Sequence, residues 1–425
     1  MAAPSLLGLL TSQDNSQRRA DGVSWSLAAI LIFLATYVVL AIGRLPGFRV
    51  DRTGACIIGA SLMIACGVLD FKQAFAAIDY NTIILLFGMM IVVANLRLSG
   101  FFSAVAEWVV EHAHRPVVLL AAIVFVAGFF SAFFVNDTMC LVLTPLVLDI
   151  TRQLRRNAVP YLLGVAMAAN IGSVATITGN PQNMMIGSFS GIHYRTFAAA
   201  LSPVAAVGLV LTVIVIATIY HREFRLQEKV ALARRPVRIN RVLMWKSLTV
   251  SAGMIVLFFA GWPVPKVALM AGALLLVTRR VKPERVYREI DWSLLVLFIG
   301  LFIVVAGVEK TSLPEDLFRI AQQFHLERVP VLSALAALLS NVVSNVPAVL
   351  VFRPFMAQLS DPVRSWLALA MSTTLAGNLT ILGSVANLIV VQRARHEARI
   401  GFWEYFKVGA PLTVATIAVG IVLLG

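Results

Sequence analysis

Charge is scarce in this sequence. Only 13% of its 425 residues are Asp, Glu, Lys or Arg, about half the share of an ordinary soluble domain. A water-soluble globule of this size is therefore excluded. Acids are scarcer still, 21 against 35 bases, for a formal net charge of +14. On a soluble chain that excess would point to nucleic acid. Here the Lys and Arg residues sit in short loops between apolar runs, and no basic stripe interleaves with aromatics, so no nucleic-acid partner is expected. Cysteine is nearly absent. Cys56, Cys66 and Cys140 all fall in apolar runs, with no CxxC and no Cys/His spacing for a metal. They read as packing residues, although Cys140 lies beside a polar trio described below. His112, His114, His221 and His396 form no metal set. The chain has no Walker motif, no GxSxG, no HExxH and no visible nucleophile–base pair. An ATP-driven, hydrolytic or other enzymatic role is unsupported, and no cofactor is expected.

What the chain has is hydrophobicity: 59% of its residues are apolar and its mean hydropathy is +0.87. Several runs approach the roughly 20 residues that cross a bilayer. They include Trp25–Ile42, Thr82–Leu96, Val117–Val135, Val204–Tyr220, Leu294–Val308 and Val408–Leu424. The chain reads as an all-α polytopic membrane protein with the lipid bilayer as its surroundings. Residues 1–24 are polar and contain Arg18 and Arg19. The run that follows lacks a small-residue cleavage site, so it reads as a retained span and not a signal peptide.

The second half repeats the first. IDYNTIILLFGMMIVVA (78–94) matches IDWSLLVLFIGLFIVVA (290–306) without gaps. SAFFVNDTMCLVLTP (131–145) lines up with SNVVSNVPAVLVFRP (340–354), setting Asn136 on Asn345. AMAANIGSVATITGNPQNMMI (166–186) lines up with AMSTTLAGNLTILGSVANLIV (370–390), setting Gly179 on Gly383 and Asn183 on Asn387. Pro203 and Pro411 then open the last span of each half. Apolar segments resemble each other by chance, but three blocks in the same order indicate duplication. The chain divides into a polar segment 1–24, a first repeat 25–220, a basic linker 221–246 and a second repeat 247–425.

Charges orient the halves. The loop His221–Lys246 carries eight basic residues, among them Arg222, Arg225, Lys229 and Arg241, and the loop Arg279–Arg288 carries five. Both should be cytoplasmic. Short spans near 247–261 and 264–278 connect them. Arg393, Arg395 and Arg399 mark another cytoplasmic loop, whereas its counterpart Ser188–Phe197 has only Arg195 and reads as external. Equivalent loops thus fall on opposite sides, which makes the halves inverted-topology repeats, a plan common among secondary transporters. Phe101–His114 reads as an amphipathic helix on the inner surface. The chain is then inside before Val117 and inside again by Arg152. A re-entrant hairpin fits, with Asn136, Asp137 and Thr138 near its tip, and a second from outside with Ser344, Asn345 and Pro347. The competing reading makes each hairpin two full crossings.

Four polar clusters fall at membrane depth: the two tips, Thr176–Asn183 (TITGNPQN) and Thr380–Asn387 (TILGSVAN). Gly179, Pro181 and Gly383 should break their helices. Unwound backbone at that depth must be buried in protein or line a wet cavity. Broken helices aim N–H groups and partial positive charge at one point. Amides and hydroxyls add neutral donors and acceptors, so the site suits a small oxygen-rich solute or an alkali ion. It lacks the Arg clamp that firm recognition of a di- or tricarboxylate calls for. The bland alternative is that Gly and Pro only kink the helices and Asn and Ser only join them, at about 1 kcal/mol each; symmetry-related recurrence favours function. Asp137 has no acidic counterpart, because Val346 stands in its place. An ionisable group at membrane depth points to a proton- or cation-coupled step; a helix-capping Asp is the bland reading.

These motifs resemble the ion transporter superfamily over nearly the whole chain, from Trp25 to Gly425. The NDT tip, the GNPQN break, the SNVPAV tip and the GSVAN break carry the likeness. NDTMCLVLTPLV and SNVPAVLV are most similar to the ArsB-type arsenite permease branch, whereas sodium–dicarboxylate symporters of the group carry Ser-Asn-Thr at both tips. The resemblance implies export of arsenite and antimonite across a bacterial inner membrane, driven by the proton motive force through alternating access. It admits a soluble ArsA-type ATPase and a second copy of the chain as partners. Carried over by match, Asn136, Asp137, Thr138, Asn180, Asn183, Asn345 and Asn387 would line the site, with Asp137 coupling the proton. Thr176, Thr380 and Ser384 join them from the residue reading. Transport of another small anion such as a carboxylate or sulfate, or cation/proton antiport, is the alternative within the superfamily. Duplicated halves with broken helices favour alternating access over a channel.

Overall fold

A computed structural model describes residues 25–43, 47–113, 115–225, 239–313, 315, 316, 319 and 323–425. The polar segment 1–24 and the linker residues 226–238, with Lys229, lie outside the described residues. So does His114.

The described residues are helical, with no strand among them. In chain order the helices are α1 Trp25–Ile42, α2 Arg52–Ala65, α3 Phe71–Ala76, α4 Tyr80–Leu98, α5 Phe101–His112, α6 Pro116–Phe133 and α7 Asn136–Gln153. Next come α8 Ala158–Ser173, α9 Pro181–Ser190, α10 Tyr194–Ile219, α11 His221–Phe224, α12 Arg241–Phe259, α13 Val264–Leu276 and α14 Pro283–Tyr287. The last are α15 Trp292–Glu309, α16 Val329–Val343, α17 Asn345–Met356, α18 Pro362–Ala376, α19 Val385–Ala394 and α20 Phe402–Leu424. Seven of them, α1, α4, α6, α10, α12, α15 and α20, are long and apolar enough to cross a bilayer.

The starts follow local chemistry. Asp51, Asp70, Asn157, Asn240 and Asp361 cap helices through side-chain oxygens that accept from backbone N–H groups, filling bonds that the first turn cannot make for itself. Asp70 and Gln73 form a reciprocal capping box. Pro116, Pro181 and Pro362 sit in first turns, where a missing N–H costs nothing.

Two expectations need correction. Pro203 and Pro411 do not open their spans; each lies inside a helix that begins earlier, at Tyr194 and Phe402. A proline removes one backbone bond, and tight packing carries the helix through it: Leu201 and Val204 beside Pro203 are buried, as are Val408 and Leu412 beside Pro411. The linker 221–246 is not all loop, because α11 and the first turns of α12 fall within it.

One compact unit is drawn from Met1–Asp79 and Trp292–Phe324, the other from Tyr80–Asp291 and His325–Gly425. This partition places α15, from the second half of the sequence, in the unit that holds α1 to α3. In the first unit α2 packs against α15 around Ala60, Met63, Val304 and Val308. Lys310 donates to the carbonyl of Val68 (3.1 Å) at its edge. In the second unit α4 lies along α13, α6 along α8, and α16 and α20 along α18. Arg97 pairs with Glu289 there, and Arg152 with Glu397.

Within the second unit the order of elements recurs. The helical hairpin α6–α7, joined by Phe134 and Val135, corresponds to α16–α17, joined by Ser344. The helix α8, a 3-10 turn over Ile177–Gly179 and α9 correspond to α18, a 3-10 turn over Ile381–Gly383 and α19. The long helices α10 and α20 follow.

Candidate functional site

Each break is held open by the same pair of devices. Asn180 stands at the start of α9 and accepts from the N–H of Asn183 (2.8 Å). Ser384 stands at the start of α19 and accepts from the N–H of Ala386 (3.3 Å). Asn183 then reaches back, its Nδ2 donating to the carbonyls of Ser173 (3.0 Å) and Thr176 (3.0 Å). Asn387 does the same with Gly377 (2.7 Å) and Thr380 (3.0 Å). Ser173 ends α8 and Gly377 follows the end of α18, where carbonyls run out of helical N–H partners; those of Thr176 and Thr380 also accept from the N–H groups of Gly179 (3.3 Å) and Gly383 (3.1 Å). Both amides are fully buried, so the unwound backbone is satisfied by protein.

The glycines at the breaks are fixed by close approach. A Cβ on Gly179 would meet the carbonyl oxygen of Ser173 at 2.1 Å. One on Gly383 would meet that of Gly377 at 2.9 Å.

The two breaks then cross. Asn180 Nδ2 donates to Thr374 Oγ1 (3.3 Å) on α18, and Ser384 Oγ donates to Asn170 Oδ1 (3.0 Å) on α8. In the register that sets Gly179 on Gly383, Asn170 is the counterpart of Thr374, and Asn180 of Ser384. Each break therefore reaches across to the other half at an equivalent position.

Asn170, fully buried, is the hub. Besides Ser384, its oxygen accepts from Asn136 Nδ2 (3.0 Å). Its own Nδ2 faces the side-chain oxygens of Asn378 (2.9 Å) and Asn387 (3.0 Å). One amide thus joins the first hairpin tip to the second break.

Asn345 sits at the second tip. Its amide faces the carbonyls of Thr373 (3.2 Å) and Gly383 (3.1 Å), which only a donor can satisfy, so its nitrogen points at them and its oxygen accepts from Gln182 Nε2 (3.1 Å). Gln182 also donates to Thr374 Oγ1 (3.2 Å).

The structure thus brings Asn136, Asn180, Asn183, Asn345, Ser384 and Asn387 into one buried hydrogen-bonded set. Thr176 is buried beside it and donates to the carbonyl of Ala132. Thr380 contributes its carbonyl. Asp137 and Thr138 are half-buried at the first tip. Asp137 faces the backbone N–H of Ala386 at the start of α19. The hydroxyl of Thr138 joins none of these bonds. Cys140, a free and fully buried thiol, follows one turn later. Among the described residues no three His, Cys, Asp or Glu side chains converge as for a metal.

Sequence reasoning missed Asn170, Ser173, Gln182, Thr374 and Asn378. Asn170 and Thr374 lie within the repeated block, at matching positions. They went unread because they precede the breaks, inside regular helix.

Among the described residues, two acceptors in the set have no protein partner, Asn136 Oδ1 and Asn183 Oδ1. A buried carbonyl of this kind costs free energy unless a donor reaches it. The set is otherwise all amide, hydroxyl and backbone. The nearby Arg353 guanidinium lies 4.3 Å over the ring of Phe189. Chemically, the arrangement offers neutral hydrogen bonds, and one acid at its margin.

A profile of the citrate transporter family matches residues 37–371. The silicon efflux transporter LSI3 of Oryza sativa subsp. japonica is 30% identical, over 96% of this chain and 96% of its own. The 46 kDa membrane protein of Mycobacterium leprae is 30% identical over 92% of this chain and 96% of its own. The putative transporter arsB of Dictyostelium discoideum is 23% identical over 93% and 91%. Among solved structures, the YdaH transporter of Alcanivorax borkumensis, whose crystal structure is described as having an unusual topology, aligns with a TM-score of 0.59. It is 16% identical and the alignment covers 95% of this chain and 97% of that one, a likeness of fold alone.

Proposed function

The chain belongs to the CitMHS citrate transporter family and is a multi-pass membrane transporter; on that premise we propose that it exports arsenite and antimonite across the bacterial inner membrane by proton antiport. The observation that carries this reading is the neutrality of the buried set. Asn136, Asn170, Asn180, Asn183, Asn345, Asn387 and Ser384 offer amides and a hydroxyl with no guanidinium or ammonium among their bonds. Arsenite near neutral pH is the uncharged trihydroxide, a compact bearer of hydroxyl donors and acceptors. Such a solute can donate to Asn136 Oδ1 and Asn183 Oδ1, the acceptors without a protein partner, and needs no counter-charge. Likeness to a transporter named for silicon efflux supports the same chemistry, because silicic acid is also an uncharged polyhydroxide. The relative named arsB supports the arsenite assignment.

Asp137 carries the coupling proton in this reading. Ionised, it accepts from the Ala386 N–H at the start of α19, where the helix dipole favours negative charge. Protonated, it loses that attraction, and the first tip is held to the second break only through Asn136 and the Asn170 amide. Inverted repeats would let the two tips open alternately to the two sides.

Everted vesicles containing the protein should accumulate arsenite when energised and stop when a protonophore is added. Accumulation indifferent to the protonophore would defeat proton coupling. A carboxylate is the second reading, favoured by the family's citrate name. It predicts that excess citrate blocks arsenite accumulation, whereas the hydroxide reading predicts no effect of citrate and competition by antimonite.

A further inference from the structure

A groove of about 510 Å³ opens where α7 and α19 pack together. Its apolar lining is Leu141 of α7 and Ile389 of α19. Its polar lining comes from the end of α19 and the residues just beyond: Gln392, Arg393, Arg395 and His396. We propose that this groove binds the phosphate headgroup of an anionic phospholipid, with an acyl chain of the same lipid lying along Leu141 and Ile389. The site is separate from the buried amide set, and the proposal does not depend on which solute is carried.

Uncompensated charge is the first reason. A basic loop at the cytoplasmic face is ordinary, and elsewhere in this chain such residues find acids, as Arg97 does in Glu289 and Arg152 in Glu397. The second pair occupies the acid nearest to the groove along the chain. Among the described residues no acid lines the groove, and no ion pair holds Arg393 or Arg395. Arg395 Nε donates to His396 Nε2 (2.9 Å). Its two terminal nitrogens have no protein acceptor among the described residues. Two guanidiniums lining one space without a counter-charge favour an anion, and the planar fork of a guanidinium matches a pair of phosphate oxygens.

The two-part lining is the second reason, and it selects a lipid over a free anion. Inorganic phosphate would use the guanidiniums and leave Leu141 and Ile389 uncovered. Both aliphatic side chains are half-buried, whereas Arg393, Arg395 and His396 are exposed. Ile389 precedes Arg393 by about one turn, some 6 Å along the helix axis. An acyl chain descending from a headgroup on Arg393 therefore meets Ile389 within its first few carbons. Basic pockets between helices at the cytoplasmic face are suited to anionic headgroups. The position also carries a consequence. Helix α7 begins with Asn136 and Asp137, and α19 carries Asn387. A lipid lying across both helices braces the first tip against the second break.

Binding can be read without transport. The full chain, purified and stripped of lipid in a neutral detergent, is titrated with phosphatidylglycerol and, separately, with phosphatidylcholine, and retained lipid is counted by native mass spectrometry. Saturable retention of phosphatidylglycerol is expected above any background shared with phosphatidylcholine. Its midpoint should rise about tenfold in Arg393→Gln and again in the double variant with Arg395→Gln, the effect of one charge-assisted bond lost each time. Phosphatidylglycerol should also raise the thermal unfolding midpoint of the wild type, as a ligand of the folded state does, and leave that of the double variant unmoved. Excess inorganic phosphate should not displace the lipid. Equal retention of the two lipids overturns the proposal, as does phosphatidylglycerol binding unchanged in the double variant. Displacement by inorganic phosphate would make the ligand a free anion and overturn the lipid assignment. If the double variant unfolds early without lipid, Arg393→Lys with Arg395→Lys takes its place, keeping the charges and removing the forks. Weaker retention than wild type is then expected, and equal retention overturns the proposal.

Discussion

The two tip–break interfaces are built alike up to one exchange. At one, the second tip meets the first break: Asn345 accepts from Gln182. At the other, the first tip meets the second break: Asp137 faces the N–H of Ala386. Ala386 is the register counterpart of Gln182, and Val346 that of Asp137. A neutral amide pair on one side is thus replaced by an acid and a backbone amide on the other. The neutral interface has nothing to titrate. The acid interface has one proton to gain or lose, and it adjoins the Asn170 hub through Asn136. Two near-equivalent joints, one neutral and one carrying an acid, would suit the proton antiport proposed above.

The comparison can be broken most sharply at the acid. Asp137→Asn should reduce proton-driven accumulation by about 100-fold or more, the scale of losing a required proton carrier, while the protein stays folded. Wild-type accumulation in that variant would erase the functional difference between the joints. Asn170→Ala removes the partner of Asn136 and Ser384 together and should cost about 1–3 kcal/mol for each group left unpaired. Thermal unfolding in detergent measures this; a midpoint within a degree of wild type would show that the hub does not hold the acid side. Gly179→Ala and Gly383→Ala test the symmetry of the breaks. With contacts of 2.1 Å and 2.9 Å from the added Cβ, both should destabilise by about 1–3 kcal/mol, the first more than the second; the reverse order would contradict the geometry. Gln182→Ala, on the neutral side, should cost about 1 kcal/mol and leave protonophore sensitivity intact. The smallest effect is at Ser344, whose φ of 78° and ψ of 162° belong to a region that favours glycine. Ser344→Gly should stabilise by up to about 1 kcal/mol, seen as a higher unfolding midpoint.

Much of this was legible beforehand. The spans could be read because a bilayer demands long apolar helices, and Trp25–Ile42 is the helix found. The breaks could be read because Gly179, Pro181 and Gly383 interrupt apolar runs that otherwise continue. Pro203 and Pro411 misled, because a proline's local effect is to end a helix and only packing on both sides of it keeps one going. Thr138 looked equivalent to its neighbours in the NDT tip, yet two residues along a helix turn a side chain by about 200°, and its hydroxyl joins none of the bonds that Asn136 makes.

By itself the sequence determined the helical class, the recurrence of tips and breaks, and the presence of one unmatched acid. Those follow from composition and local chemistry, which act over a few residues. Only the tertiary structure decided that Asn170 joins Asn136, Ser384, Asn378 and Asn387, and that Gln182 is answered by Asn345. A hydrogen bond between residues 208 positions apart leaves no local trace. Which buried amide meets which is settled when helices pack and every polar group must find its partner.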